Sequence, residues 1–572
     1  MSGVAVVDKK IPEGPKAHDT EVDLLVVGSG TGMAAALGAV DRGLSALVIE
    51  KTDYVGGSTA RSGGAFWIPP NHVLANEGAR TEKEDIEAYI GSLVGGDAPQ
   101  KRWQAFIDHG ADAVSMLERM TPMEFFWAKG YSDYHPENPG GSAVGRSCEC
   151  KPFNAAVLGE ERGRLRPGVM DAPIPMPVTG ADYKWMNLMV RTPVRAMPRI
   201  VKRATQGVGG LALRREYVAG GQALAAGMFA GLLQHGVPVW TRTSLTELII
   251  EDGAVTGAKV TQDGQTVTVK ARRGVVLAAG GYDHDMEMRR KYQSPILEKD
   301  VTLASDGNTG DGIKAGMNIG AGIALMEESW WFPAIEPLSE GEYPQVLLAE
   351  RSLPGSFIVD RHGKRFINEA IDYMSFGQTV LKRAASGDPV GDMWLVFDQK
   401  YRDRYMFAGV LFPGLPIPKE WYDAGIAVRG DDAAEIGRKI GVPVDAFTQT
   451  FTDFQQAGYL GEDHEFGRGN SAYDRYYGDP TVAPNANLRP LEGKLYAVKV
   501  VLSDLGTCGG LTADEHGRVL AKDGSPIKGL YAQGNNAANV FGRTYPGAGA
   551  TIGQGLVFGK IIADTAASAD VA

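Results

Sequence analysis

At 572 residues the chain is too long for one hydrophobic core. Its net charge of −11 argues against nucleic acid as the main partner, and its 75 glycines gather at motifs rather than in a collagen-like or low-complexity repeat. Its three cysteines, Cys148, Cys150 and Cys508, form no disulfide framework and lack structural-zinc spacing, so the sequence predicts packing cysteines, no metal and a cytoplasmic chain.

Residues 1–20 are polar, hold Pro12, Gly14 and Pro15, and read as a flexible tail without a signal core. Residues 24–27 are an apolar run ending at Gly28, the pattern of a buried parallel strand. The turn Gly28-Ser29-Gly30-Thr31-Gly32-Met33 follows, then an alanine-rich helix over 32–42 and a second strand over 45–50. Together they make one βαβ unit. Its first two glycines allow a tight turn and a close approach of backbone to a pyrophosphate, which sits on the helix N-terminus. Glu50, 20 residues after Gly30, is placed to accept both hydroxyls of a ribose. Met33 stands where the fingerprint has its third glycine, so close helix packing is expected to rest on Gly32, Ala34, Ala35 and Ala36.

Two more glycine clusters follow, Gly56-Gly57-Ser58-Thr59 and Ser62-Gly63-Gly64. A basic and apolar insert occupies about 150–215. Within it Lys184, Arg191, Arg195, Arg199, Lys202 and Arg203 run without an intervening acid, interleaved with Trp185, Met186, Met189 and Met197, and the apolar loop 173–178 precedes them. Pro193 and Pro198 preclude one continuous ideal helix. In an acidic chain the segment from Pro173 to Arg203 reads as a peripheral membrane contact, on the inner face of the cell membrane. A cap over the active site and a contact in a homo-oligomer are the other readings.

From 237 to 269 short β-branched runs are broken by Asp252-Gly253 and Asp263-Gly264, which predict hairpin turns in a meander. Residues 274–281 return to a buried strand ending at Ala279-Gly280-Gly281. Residues 331–499 read as a separate α+β region, with an acidic helical stretch over 431–441. A last strand and helix occupy 529–563. The simplest arrangement is an α/β, Rossmann-like nucleotide domain built from 21–330 and 500–572, with an inserted α+β catalytic domain.

The late run Gly529-Leu530-Tyr531-Ala532-Gln533-Gly534-Asn535 resembles the C-terminal motif of flavoproteins, which nicotinamide dehydrogenases lack. With the earlier clusters it resembles the superfamily of fumarate reductase and the succinate dehydrogenase flavoprotein. That resemblance implies FAD held by Gly28, Ser29, Gly30, Gly32, Glu50 and Lys51, by Gly57, Ser58, Thr59, Ser62, Gly63 and Gly64, by Ser244, Ala279, Gly280 and Asp311, and by Gly534, Asn535, Thr551 and Ile552. Ser58, Thr59 and Ala60 stand where some members carry a flavin-linked histidine, so non-covalent FAD is expected. No histidine sits in the His-Pro-Thr segment of the dicarboxylate reductases, which disfavours a dicarboxylate substrate.

Tyrosines in unusual settings narrow the branch. Thr544-Tyr545-Pro546-Gly547-Ala548-Gly549, Asn368-Glu369-Ala370-Ile371-Asp372-Tyr373 and Gly130-Tyr131-Ser132-Asp133-Tyr134 resemble the segments of 3-ketosteroid Δ1-dehydrogenases. The resemblance implies that Tyr545 and the Gly549 N–H bind a steroid ketone, that Tyr373 removes a proton, and that Tyr134 assists it. It also implies an electron acceptor outside the chain. Tyrosines suit the chemistry, because desaturation beside a ketone needs a stabilised enolate and a base. A free tyrosine titrates near 10, so Tyr373 needs a hydrogen bond from Tyr134 to favour its phenolate. The rivals are Δ4-(5α)-desaturation, disfavoured by Pro546 and Gly547 after Tyr545, and a non-catalytic flavin-binding electron-transfer protein.

Overall fold

A computed structural model describes residues 11–168, 175–339 and 341–569. β1 (Thr20–Val27), α1 (Gly32–Asp41) and β2 (Ala46–Ile49) form the expected βαβ unit, with β1 starting four residues earlier than its apolar run. Leu24, Leu25 and Val26 are wholly buried, because α1 and other helices cover one face of this parallel sheet and the meander of 243–271 covers the other. β1 pairs in parallel with β2 on one side and with the strand Gln265–Leu277 on the other, which in turn pairs in parallel with Pro526–Ala532. Both ends of the chain therefore build one sheet.

The strand Gln265–Leu277 has two roles. Its first half closes the antiparallel meander of Thr243–Glu251 and Ala254–Gln262, and its second half runs beside β1. Both meander turns have positive φ at both central residues: Asp252 and Gly253 at 50° and 77°, Asp263 and Gly264 at 49° and 82°. That is the type I′ geometry that Asp-Gly favours. The stretch read as a flexible tail is docked where it is described: Ala17 is buried and its N–H donates to the Gln262 side chain at 2.7 Å.

The second unit is a six-stranded sheet whose outer limits, Ser329 and Thr507, lie a few residues outside the expected 331–499. The acidic stretch forms the helix Ala433–Ile440, capped by Asp432. In the insert, Gly180–Asn187 and Pro193–Ala212 are separate helices. Pro193 opens the second, but Pro198 lies inside it rather than breaking it. The carbonyl that loses its partner there belongs to Val194, a residue 86% exposed and so open to water. The loop 173–178 begins at Pro173, outside the described residues.

Helix packing departs from the expectation at one point. Gly32 is needed, since a Cβ there would stand 2.9 Å from the Ala278 Cβ. The close approach of α1 to the C-terminal helix Ala550–Ser568 uses the expected Ala34 and Ala35, which a Cβ added at Gly559 would meet at 3.2 and 2.9 Å, and also Gly38, whose added Cβ would be 2.8 Å from that of Ala563.

Candidate active site

The glycine turn after β1 leaves no room for a side chain. Gly28 has φ of 113°, and a Cβ would lie 2.2 Å from the Ala278 carbonyl oxygen. The Ser29 hydroxyl donates to Glu50 at 2.6 Å and accepts from the Gly56 N–H at 3.0 Å. The other Glu50 oxygen accepts from the Thr52 N–H and hydroxyl, both at 2.9 Å. The Glu50 carboxylate is thus fixed at the end of β2, with lone pairs left to accept further donors.

Other expected cofactor residues converge on the same edge. The Ala279 N–H donates to Asn536 at 2.6 Å, and Asn536 donates back to the Gly280 carbonyl at 2.7 Å, tying the middle strand to the Gly534–Asn536 turn. Gln533 donates to the Thr31 carbonyl at 2.8 Å and to that of Gly555 at 3.1 Å. The Asn535 side-chain oxygen accepts from Trp330 at 3.1 Å and from Thr551 at 3.4 Å. Lys51 pairs with Asp311 at 2.7 Å. The Ser58 hydroxyl accepts from the Ser305 N–H at 2.9 Å and from Asn308 at 3.0 Å. Ser62 donates to the Thr59 carbonyl and accepts from the Gly64 N–H, so with Gly63 it shapes a turn. Ser244 follows Thr243, whose N–H donates to the Glu50 carbonyl at 2.8 Å.

These residues fit FAD on two observations. Neither α1 nor the C-terminal helix has a side-chain cap, although both begin in the interior. At the start of α1 the Met33 and Ala34 N–H groups turn to the Gly30 and Thr31 carbonyls at 3.3 and 3.0 Å, which leaves that of Gly32 for an outside acceptor such as a phosphate, whereas the Ala550 N–H of the C-terminal helix is taken by the Gly547 carbonyl at 3.0 Å. Ile552 lies buried in the first turn of the C-terminal helix.

The tyrosines come from three distant segments. Tyr373 is the first residue of the helix Tyr373–Ala385, capped by Asp372. Below it, Glu369 is buried between Arg365 at 2.8 Å and Arg468 at 3.1 Å, which anchors the Asn368-Glu369 turn. The Tyr134 hydroxyl donates to that of Tyr373 at 2.9 Å. The Tyr545 ring stacks on Tyr134 at 5.1 Å and lies 5.4 Å from Tyr373. Gly549, at φ 88°, caps the C-terminal helix, and a Cβ there would meet the Ala65 carbonyl oxygen at 2.0 Å.

Burial dominates the electrostatics. It pushes the Tyr545 hydroxyl up to about 12, against the opposing pull of the Tyr373 hydroxyl and of the Thr551 and Gly549 N–H groups. The Gly549 N–H thus lies close enough to the Tyr545 oxygen to favour its charged form. Burial also raises Tyr373 well above its ordinary value. The hydrogen bond from Tyr134 opposes that rise, in the expected direction, but is outweighed, because a desolvated phenolate costs more than one donor returns.

Sequence reasoning missed the shell that holds this cluster. Tyr89 and the Tyr134 N–H both donate to the Pro546 carbonyl, at 2.6 and 3.1 Å. Asp133 is buried, accepts from Trp67 at 2.9 Å and pairs with Arg146 at 3.2 Å; burial lifts its carboxyl to about 6. Trp330 meets Tyr545 edge-on at 4.7 Å, and Phe332 lies 4.8 Å from Tyr373. Behind them, Tyr131 bonds Tyr477 at 2.6 Å and stacks on Tyr476 at 4.4 Å. The local signals for that layer are Tyr131, within the segment already singled out, and the tyrosine-rich run from Tyr473 to Tyr477.

Comparison with known proteins agrees with this architecture. The FAD binding domain family matches residues 23–552. A 3-oxosteroid 1-dehydrogenase of Mycolicibacterium smegmatis is 42% identical over 96% of this chain and 98% of its own. A 4-oxocyclohex-2-ene-1-carboxylate 5-dehydrogenase of Sinomonas cyclohexanicum is 36% identical over 94% of this chain and 92% of its own. The crystal structure of 3-ketosteroid Δ1-dehydrogenase from Sterolibacterium denitrificans, in complex with 1,4-androstadiene-3,17-dione, superposes with a TM-score of 0.90 at 36% identity, covering 96% of this chain and all of that one. The glycine cradle, the late flavin motif and the buried tyrosines therefore belong to an FAD-dependent oxidoreductase, and the chain is a member of the 3-ketosteroid Δ1-dehydrogenase family.

Proposed function

We propose that the chain desaturates carbons 1 and 2 of 3-ketosteroids, with Tyr373 as base and with Tyr545 and Gly549 holding the ketone. The observation that carries this is the 2.9 Å bond between Tyr134 and Tyr373 beside Tyr545. The Tyr545 hydroxyl and the Gly549 N–H donate to the ketone oxygen and stabilise the enolate that forms as the carbon 2 proton leaves. Tyr373 takes that proton, and Tyr134 donates to the Tyr373 oxygen while it is charged. Aromatic walls from Trp330 and Phe332 exclude water and suit a steroid, which has few polar handles. FAD, when bound, supplies the acceptor for the hydride leaving carbon 1. It is held without a covalent bond, since no histidine stands near Ser58.

The test is anaerobic addition of androst-4-ene-3,17-dione. Bleaching of the flavin with formation of the 1,4-diene supports the reading. No bleaching leaves a non-catalytic flavin protein, and bleaching by a 5α-saturated ketone alone, with the 4-ene as product, leaves the Δ4 reaction. Acid precipitation should release the flavin into the supernatant.

The surface of the insert supports a peripheral membrane contact. On the helix Pro193–Ala212 the side chains of Val194, Met197, Val201 and Val208 are exposed at helical spacing, an apolar stripe on one face. Among the described residues no helix is long and apolar enough to cross a membrane. The charge argument needs correction. Arg203 pairs with Asp182 at 2.6 Å, Arg199 lies 3.8 Å from the same carboxylate, and Arg191 pairs with Asp479 at 3.0 Å. Asp182 stands two residues before the cationic run, just outside the stretch counted, and Asp479 comes from the far unit, where a linear reading cannot see it.

A further inference from the structure

We propose that the cleft beneath the basic helix Pro193–Ala212 is a binding site for an amphiphilic anion, with a phosphate-like head and an apolar tail. The cleft has a volume of about 1200 Å³ and opens between that helix, the helix Gly180–Asn187 and the segments around Trp127 and Phe153. That exceeds the roughly 300–1,000 Å³ of most small-molecule sites. None of the three catalytic tyrosines lines it. Its nearest link to them is Tyr476, a wall residue stacked on Tyr131.

Charge identifies the head group. Seven basic side chains line the cleft against two acids, Glu124 and Asp182, in a chain whose net charge is −11. Glu124 is paired with Lys151 at 2.8 Å, and Asp182 is held by Arg199 and Arg203. Lys129, Lys184, Arg195 and Lys202 have no acidic partner among the described residues. Like charges gathered without counter-ions repel one another, and one bound anion relieves all of them. Lys184 is the sharpest case. It stands 4.0 Å over the Tyr476 ring and 5.3 Å from that of Trp185, and burial, then Arg195, lowers its ammonium to about 8.

The aromatic lining identifies the tail. Trp127, Phe153, Trp185 and Tyr476 face the same space, and Arg195 lies 4.8 Å over Trp185. An inorganic anion would leave these rings unused. On the membrane reading above, such an amphiphile arrives as a lipid, because the exposed apolar stripe and the cleft share one helix. A soluble amphiphile offers the same chemistry.

Calorimetric titration of the FAD-loaded protein with dodecyl phosphate, kept below its critical micelle concentration, tests the site. The expected result is one molecule bound per chain, at least about tenfold tighter than inorganic phosphate, with no comparable binding of dodecyl maltoside. Lys184→Gln with Arg195→Gln should weaken binding about tenfold or more at unchanged FAD content, and Val194→Ser with Val201→Ser should leave it unchanged. Equal affinity for inorganic phosphate, equal binding of the neutral detergent, or an unaffected glutamine variant each overturns the proposal. Dodecyl phosphate binding without flotation on anionic vesicles supports the site with a soluble ligand and removes the membrane. Flotation without dodecyl phosphate binding keeps the membrane and removes the site.

Discussion

In the proposed mechanism Tyr373 takes a proton from carbon, yet burial holds its hydroxyl well above the ordinary tyrosine value. Only the phenolate is a base. Below its pKa the phenolate fraction grows about tenfold per pH unit, so kcat/KM should rise with pH from about 6 to about 9. The Tyr134 hydrogen bond pulls that pKa down, so Tyr134→Phe should move the rising limb to higher pH and lower the rate at neutral pH. A flat profile in both proteins would remove Tyr373 as the base. Tyr373→Phe keeps the ring and its packing against Phe332, so FAD and steroid should still bind while single-turnover flavin reduction falls by roughly 1,000-fold, within the usual range for a general base. Tyr545→Phe removes one of the two proposed donors to the ketone and should cost on the order of 100-fold. Near wild-type reduction in either variant would contradict its role. That the three tyrosines would meet was legible because each lies in a segment that resembles one of the 3-ketosteroid Δ1-dehydrogenases, and the structure brings them together. Their shell was not, since Tyr89, Trp67 and Arg146 are ordinary residues brought in by the fold.

In the proposed mechanism the C-terminal helix joins cofactor and substrate chemistry through one residue. Gly549 caps it at φ 88°, where a side chain is strained by about 1–2 kcal/mol before any contact is counted. The Ala65 carbonyl oxygen, 2.0 Å from a Cβ there, is backbone and cannot rotate away. Gly549→Ala should therefore shift the helix start, destabilise the protein by at least about 2 kcal/mol and misplace the Gly549 N–H. Thermal unfolding, bound FAD and kcat should all fall together; retention of all three would show that the loop has room. At this scale legibility followed sequence distance. Asp252-Gly253 and Asp263-Gly264 specify their hairpins because two residues decide the turn. The displaced third glycine was harder, because Gly38 answers Ala563, more than five hundred residues away. Pro198 shows the opposite error, a rule for helix interiors applied where the freed carbonyl is open to water.

For the whole molecule, the structure changes the balance of forces expected for the proposed membrane contact. Read as a string, residues 184–203 offer six cations, each contributing about 1 kcal/mol near an anionic surface. In the fold Arg191, Arg199 and Arg203 already face acids, and Lys184 lies over Tyr476 inside the cleft. Arg195 and Lys202 remain, for about 2 kcal/mol that salt will screen within about 10 Å at 0.1 M. The stripe of Val194, Met197, Val201 and Val208 is the larger resource. At roughly 1 kcal/mol for each partly inserted side chain it supplies about 4 kcal/mol, which salt does not weaken. Flotation on anionic vesicles should therefore fall only in part as salt rises. Replacing Val194, Met197 and Val201 by serine should abolish what remains at high salt, whereas Arg195→Glu with Lys202→Glu should remove only the salt-sensitive part. If the serine variant floats like the wild type at high salt, the stripe does not touch lipid. If the wild type stays in solution even at low salt, the helix is better read as a contact between copies of the chain, and sedimentation of the same serine variant would then show a smaller particle.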